Sequence, residues 1–527
     1  MEVDPIKLFI MKIFPAASVQ EIDRYTIEHE PVQSVNLMER AASRIVDWYV
    51  RHYKTERKVI ILAGPGNNGG DALAVARMLI TRQYRVECYL VGSLDKLSKD
   101  CRINYDRLQE MNDQWPVNLQ SASDFPPINA SDVIIDGLFG SGLSRPVGGL
   151  FGELIKYANT TDAKKVSIDI PSGLFGEDNS ANTRESIFCA DVTLTFQFPF
   201  LSFFFAENAI YTGRWKVLDI GLHPVKIIET HSDYSVIMRK DLAALLPSRQ
   251  TFAHKGVFGH ALIIAGSYGM TGAAILAGKA GVRGGAGLVT VHLPSSAYEI
   301  MQISVPEVIV SVDSNDKYFT VVPELKKYNA IAIGPGLGNQ GNSMEAIEAL
   351  FDEIDVPLVI DADALNMMAL NPSLLEKLPQ GSVLTPHPGE FDRLAGKSES
   401  GWERHLKQIE FSRKYKVIVV LKGAYTGISF PEGNYVFNST GNPGMATGGS
   451  GDVLTGLIVS LLAQGMTPEK AAIAGVFIHG KAGDLAAEKC GLEALIASDI
   501  IKYLGAAFNE VKANPFLHEG RNGGIIQ

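Results

Sequence analysis

The sequence predicts an α/β protein of two three-layer α/β/α domains with doubly wound sheets, and three observations carry the prediction. Strand, glycine loop, helix and strand follow one another twice, once from Lys58 and again from Ala261. Nearly all strand candidates end in glycine or polar motifs, as open sheets do where they bind ligands. A chain of 527 residues also exceeds what one hydrophobic core fills, so it divides.

In the first domain, apolar residues at helical spacing predict two helices over 19–54. Val19, Ile22 and Tyr25 mark one, and Leu37, Ala41, Ile45 and Trp48 the other. A strand at 58–63 runs into Gly64-Pro-Gly-Asn67-Asn68-Gly69-Gly70-Asp71, ahead of a helix over 72–81 and a strand at 84–91. This loop differs in spacing from the Gly-x-Gly-x-x-Gly dinucleotide fingerprint. The strand at 132–136 delivers Asp136 to its C-terminal end, before Gly140, Ser141, Gly142, Leu143, Ser144, Arg145 and Pro146. The next, at 165–170, ends in Asp169-Ile-Pro-Ser172. Asn68, Asp71, Asp136, Asp169 and Ser172 are therefore expected at one crevice. Each alone fits a helix cap or a turn, but their recurrence at successive strand ends points to a site. Oxygen groups of this kind suit a hard cation: potassium, sodium or magnesium. Strands at 191–196 and 215–219 complete a domain placed at residues 1–222, and 223–241 reads as a linker. His223 and His231 match no zinc spacing.

The second domain, placed at 242–515, opens with His254-Lys255-Gly256-Val-Phe-Gly259 and a strand at 261–265. A small-residue helix follows from Ala273, where plain packing against the sheet competes with a ligand role. Strands at 288–293, 330–333, 357–360, 382–385 and 417–421 come next. Their ends carry Gly334-Pro-Gly-Leu-Gly338, Asp361-Ala-Asp363-Ala-Leu-Asn366, Pro386-His387-Pro-Gly-Glu390 and Lys422-Gly423-Ala424-Tyr425-Thr426. A hairpin over 427–438 feeds the stretch 438–452, where five glycines and Asp452 precede an apolar helix over 453–463. Bare N–H groups at a helix start hold phosphate oxygens, and an Asp beside them can take a proton from a hydroxyl that attacks a phosphate. A glycine loop merely capped by Asp is the plainer alternative, and the stretch lacks the Gly-Lys-Ser/Thr ending of a Walker loop. Helices over 468–488 and 495–511 follow, with His479 read as a satisfied residue of a packed helix, and 516–527 reads as a flexible tail.

Composition narrows the function. Apolar residues make up 46% and charged residues 20%, as in a well packed globular protein, and the net charge of -10 disfavours a general nucleic-acid binder. Cys88, Cys101, Cys189 and Cys490 lack paired ligand spacing, which favours free thiols in a reducing cytoplasm over disulfides or zinc. No apolar run is long enough to cross a bilayer, no signal-peptide pattern opens the chain, and Met11 is a second candidate start. The aromatic run 196–205 reads as a packed strand and turn or as a contact between copies of a homo-oligomer.

With both glycine loops and their companion motifs in hand, the chain resembles the bifunctional NAD(P)H-hydrate repair enzymes over residues 13–508. The resemblance implies a Rossmann-like epimerase domain followed by a ribokinase-like, ADP/ATP-dependent dehydratase domain, both acting on NAD(P)HX, the hydrated cofactor. In the first it implies NAD(P)HX binding by Asn67, Asn68, Gly69, Gly70, Asp71 and residues 140–146, with Asp169 as the reaction-centre acid. It also implies potassium ligation by Asn68, Asp136 and Ser172. Relatives carry Gly where this chain has Ala72, and a lysine where it has Phe200. In the second domain it implies hydrate binding by Ala273, Gly338, His387 and Asp452, with Asp452 as catalytic base. Nucleotide binding falls to Lys422, Gly423, Ala424, Tyr425, Thr426 and Gly451, with magnesium accompanying ADP or ATP. A ribokinase-like small-molecule kinase, carrying a noncatalytic nucleotide-binding first domain, shares the phosphate cradle. It does not account for 361–366 together with 385–390.

Overall fold

The structure is a computed structural model that describes residues 11–513 apart from Pro31, Asp113 and Asp355. The expected tail at 516–527 and the ten residues ahead of Met11 lie outside the described residues. Two compact units emerge, one built on residues 12–232 and the other on the chain from Asp233 onward. The stretch read as a linker carries the helix Pro224–Glu229 and the strand Tyr234–Val236.

In the first unit parallel strands stand in the order Val117–Leu119, Arg85–Val91, Lys58–Ala63, Val133–Gly137, Lys164–Ile168, Val192–Phe196, Arg214–Leu218. The chain builds outward from Lys58–Ala63 to one edge, then returns to its other flank, as in a Rossmann sheet. Helices cover both faces, so Val59, Ile60, Ile61, Leu62 and Ala63 are all 0% exposed. The reversal between Lys58–Ala63 and Val133–Gly137 opens a crevice at the C-terminal strand ends.

The helix after the first strand spans Asn67–Thr81, so residues 67–71 form its first turn and not the expected loop. Gly66 supplies the extended residue ahead of it, and burial of Asn68, Gly69, Gly70 and Asp71 overrides the low helix propensity of glycine. The aromatic run takes the first of its two readings, a packed strand and turn. Phe198, Phe200, Phe203, Phe204 and Phe205 are 2–7% exposed, and Phe203 and Phe204 pack on Trp215 with ring centroids 5.7 and 5.5 Å away. These side chains are core, which removes the reading of a contact between copies.

The second unit repeats the winding in a ribokinase-like, mixed sheet. Its order is Tyr234–Val236, Tyr435–Phe437, Gly427–Ser429, Ile418–Leu421, Val383–Leu384, Leu358–Ile360, Ala330–Ile333, His260–Ile264, Leu288–Leu293, Ile309–Val312. Strands from Ile418–Leu421 to Ile309–Val312 are parallel, whereas Gly427–Ser429 is antiparallel to both neighbours. The order reverses between His260–Ile264 and Ala330–Ile333, and again the loops at that point hold the site. Among the described residues no helix is long and apolar enough to cross a membrane.

Thr271–Arg283 and Ser450–Ala463 pack directly against each other on this sheet. A Cβ on Gly456 would lie 2.1 Å from the Ala277 carbonyl oxygen, so only glycine permits the approach. Gly456→Ala is expected to cost about 1–3 kcal/mol through overpacking, read as a lower Tm in calorimetry.

Candidate active sites

The first crevice is built around Asp136, which is 0% exposed near the end of Val133–Gly137. Its carboxylate accepts from Ser167 Oγ at 2.9 Å, Ser172 Oγ at 2.5 Å, Ser172 N–H at 2.8 Å and Leu138 N–H at 3.2 Å. Burial raises its pKa, and these bonds oppose the rise. Ser172 Oγ also accepts from Phe139 N–H at 2.8 Å, while Asn68 Nδ2 donates to the carbonyls of Phe139 at 2.7 Å and Ile168 at 3.2 Å. Asn68, Asp136 and Ser172 thus converge around the Phe139 backbone.

Asp169 stands just past Lys164–Ile168 at φ +64. Its Oδ1 accepts from Phe196 N–H at 3.3 Å and Thr195 Oγ1 at 3.4 Å. Burial pushes its pKa up to about 6, against these bonds and a further one from Ser141 N–H. Asp71 is pushed well above the usual carboxylate range, first by burial and then by the charges of Asp169, Asp23 and Asp100. Asp23, on Ala16–His29, rises to about 7 from burial and the Asp169 field. Nothing in the sequence singled out Asp23, because its helix reads as an ordinary amphipathic one. In the loop after Asp136, Gly140 lies against Asn68, and Gly142, Ser144, Arg145 and Pro146 are exposed. Phe200 packs edge-on to Phe203, so this position brings no ammonium group.

In the second unit the helix Ser450–Ala463 begins three residues earlier than its apolar run. Gly449 sits at φ +87, a left-handed conformation that glycine adopts without strain, and turns the chain directly into the helix. Gly451 and Asp452 therefore belong to the first turn, whose N–H groups have no acceptor within the helix. Asp452 is raised to about 7, chiefly by burial, then by Asp361, with Lys422 opposing and Asp363 adding to the rise.

Lys422 leads the turn between Ile418–Leu421 and Gly427–Ser429. Its Nζ lies 2.9 Å from Asp361 Oδ1 and 3.7 Å from Glu390 Oε2. Thr455 Oγ1 donates to Asp361 Oδ2 at 2.8 Å. Burial opposes ionisation of Asp361, but Lys422 and the hydrogen bonds from Lys422, Thr455 and Thr385 outweigh it and lower its pKa. Within the turn, Gly423 N–H donates to Thr426 Oγ1 at 3.3 Å, and Gly423 and Ala424 are exposed.

His387 caps Pro388–Ala395. Its Nδ1 accepts from the N–H groups of Gly389 at 3.0 Å and Glu390 at 3.2 Å, which leaves the ring proton on Nε2. Glu390 in return accepts from His387 N–H at 2.7 Å. Gly338 N–H donates to Asp363 Oδ2 at 2.8 Å. Ala273 lies in the first turn of Thr271–Arg283, where a Cβ on Gly336 would meet its own Cβ at 2.9 Å. Asp361 therefore brings Lys422, Gly451 and Asp452 together, and His387 joins them through Glu390. Gly338 reaches them through Asp363, and Ala273 borders the Gly338 loop. His479 Nε2 lies 3.4 Å from Ser450 Oγ and is held neutral by burial, its pKa lowered to about 4. Sequence alone does not assign Asp361, Thr455 and Glu390 to the site, because the contacts that bring them there, Lys422 for Asp361 and Glu390 and Asp361 for Thr455, lie far along the chain.

Buried carboxylates at the strand ends of one unit, and a glycine-lined helix start beside Lys422 and Asp452 in the other, mark two candidate sites in an α/β protein of two units. The bifunctional NAD(P)H-hydrate repair enzyme of Moorella thermoacetica is 36% identical, over 94% of this chain and 96% of that protein. The chain belongs to the family of bifunctional NAD(P)H-hydrate repair enzymes. The family model described as NAD(P)H-hydrate dehydratase matches residues 261–505, and that of the YjeF-related protein N-terminus matches 34–201. The repair enzyme of Thermofilum pendens is 33% identical over 95% of this chain and 97% of its own. A Bacillus subtilis ADP/ATP-dependent NAD(P)H-hydrate dehydratase, crystallised with ATP and Mg2+, is 31% identical. It covers 52% of this chain and 97% of its own, with a TM-score of 0.46.

A base must be unprotonated to act, so with Asp452 as the proposed base, turnover in the second unit is expected to rise with pH through about 7. Below that value kcat should fall about tenfold per pH unit, measured as a pH–rate profile with saturating nucleotide.

Proposed function

We infer that the chain repairs hydrated nicotinamide cofactors in two steps, as an isomerase in the first unit and a lyase in the second. The first interconverts R- and S-NAD(P)HX; the second dehydrates the S form at the expense of ADP or ATP. The observation that carries this reading is the placement of Gly451 and Asp452 in a helix first turn beside Lys422, within a chain that matches repair enzymes over nearly its full length.

The chemistry follows from the leaving group. Hydroxide leaves the hydrated ring poorly, whereas a phosphorylated oxygen leaves readily. Asp452 takes the hydroxyl proton as that oxygen attacks the terminal phosphorus of the nucleotide. First-turn N–H groups and the Lys422 ammonium stabilise the transferring phosphoryl group. Expulsion of phosphate by the ring nitrogen lone pair, with loss of a proton from the adjacent carbon, restores the reduced nicotinamide. Magnesium, bound with the nucleotide phosphates, would offset their negative charge.

In the first unit Asp169 is the proton-exchanging group, and residues 67–71 and 140–146 hold the hydrate. The oxygens of Asn68, Asp136 and Ser172, with the Phe139 carbonyl, form a donor set that fits potassium. To take part, the Asn68 amide would turn its oxygen inward from the present donor arrangement. Potassium would supply positive charge there beside the acidic crevice. Four unpaired cysteines fit a reducing cytoplasm.

The test supplies the purified chain with NADHX and either ADP or ATP and follows the near-ultraviolet absorbance of reduced nicotinamide. Recovery is expected with at least one nucleotide; none with either would overturn the dehydratase reading. Asp452→Asn should lower that recovery about 10²–10⁴-fold. In the same full-length variant, chromatography should still show R and S hydrates interconverting with potassium present. Loss of interconversion there would leave the first unit a binding role, as Phe200 in place of lysine would favour.

A further inference from the structure

The motif 361–366, Asp-Ala-Asp-Ala-Leu-Asn, has no part in the chemistry above. It begins where Leu358–Ile360 ends, and the chain turns there through Ala362 at φ +49, a conformation that a residue with a Cβ rarely takes. That turn sends the two carboxylates to different partners. Asp363 accepts from Gly338 N–H at 2.8 Å, in the hydrate loop. Asp361, 1% exposed, lies 2.9 Å from Lys422 Nζ through one oxygen and 2.8 Å from Thr455 Oγ1 through the other.

Those partners belong to different elements. Lys422 heads the nucleotide turn, while Thr455 sits three residues past Asp452 on Ser450–Ala463. Gly451 closes the arrangement: a Cβ there would lie 3.3 Å from Lys422 Nζ and 3.5 Å from Asp361 Oδ2. As a source of stability a buried ion pair gains little over packed apolar side chains. What it provides here is a fixed positive charge at the start of a helix, where free N–H groups and the helix dipole favour anions.

We propose that Asp361 is a positioning residue for phosphoryl transfer, its carboxylate fastening the Lys422 ammonium to the helix that carries Gly451 and Asp452. The proposal rests on the reading that the second unit takes a phosphoryl group from ADP or ATP. The lysine of a partly exposed turn is thereby presented to the phosphates in one place, and the base and the charge keep a constant separation. Asp361 and Lys422 also act on Asp452 in opposite senses: the acid raises its pKa and the amine lowers it, with Asp363 adding to the rise.

The experiment compares the full-length wild type with Asp361→Asn, Lys422→Met and Thr455→Val. It measures ADP and ATP binding by calorimetry with magnesium, kcat and KM for nucleotide and hydrate, and the pH–rate profile. Asp361→Asn is expected to weaken nucleotide binding about tenfold. It should leave the KM for hydrate unchanged and move the acidic limb of kcat to lower pH. Lys422→Met should weaken nucleotide binding as much but move that limb to higher pH, a reversal that a general loss of structure would not produce. Thr455→Val, which keeps both charges, should take a smaller share of the affinity. Unchanged nucleotide affinity in a folded Asp361→Asn overturns the proposal. Should that variant fail to fold, unchanged affinity and an unmoved limb in Thr455→Val overturn it instead. A wild type that binds nucleotide but restores no NADH refutes the repair reading, while the binding comparison still decides the positioning role.

Discussion

Asp361 is ionised in a place where water hardly reaches it, and the second unit is arranged around keeping it so. A carboxylate at 1% exposure needs an opposite charge and filled lone pairs, or it protonates. Lys422 supplies the charge, and Thr455 and Thr385 supply hydrogen bonds. Three strand-end turns and one helix must meet for that to happen. The same meeting leaves Asp452 as the neighbouring acid without a cation of its own, raised to about 7. One carboxylate is held charged and the next is held close to its titration point, a division of roles set by environment alone.

The first unit solves a similar problem differently. Among the described residues no lysine or arginine contributes to the shift of Asp136, whose carboxylate is supported by hydrogen bonds from Ser167, Ser172 and the Leu138 backbone. Burial raises Asp169, Asp23 and Asp71; the Asp169 charge adds to the rise of Asp23 and Asp71, and Asp23 adds to that of Asp71, with no lysine or arginine among the causes. Such a group holds fewer charges than carboxyls at neutral pH, so it stores protons. A site that must both take and return a proton on one substrate is served by such a store. The base proposed for the second unit, Asp452, works in one direction, coupled to the consumption of a nucleotide.

Much of this was legible from the sequence because parallel sheets impose order. Apolar runs between glycine motifs located most strands, and the motifs at their ends located both crevices. Helix starts were less legible: residues 67–71 and 450–452 look like loops because glycine has low helix propensity, yet close packing holds them as first turns. Short strands such as Val117–Leu119 and Ile309–Val312 escaped notice, since three or four residues show no period. Side-chain pairings were hidden altogether. Nothing local ties Asp361 to Lys422, or Asp23 to Asp169, across the intervening chain. The aromatic run left two readings open because composition alone does not say which way a phenylalanine points, and packing decides for the core.

The left-handed backbone at Asp169 has a consequence for how this protein tolerates change. A residue with a Cβ at φ +64 carries about 1 kcal/mol of strain that glycine would not. Replacing it by glycine would therefore relax the backbone while removing the group proposed to exchange protons. Selection for robustness and selection for turnover pull on this one position in opposite directions. A screen for heat resistance alone would drift toward a sturdier first unit that no longer exchanges protons.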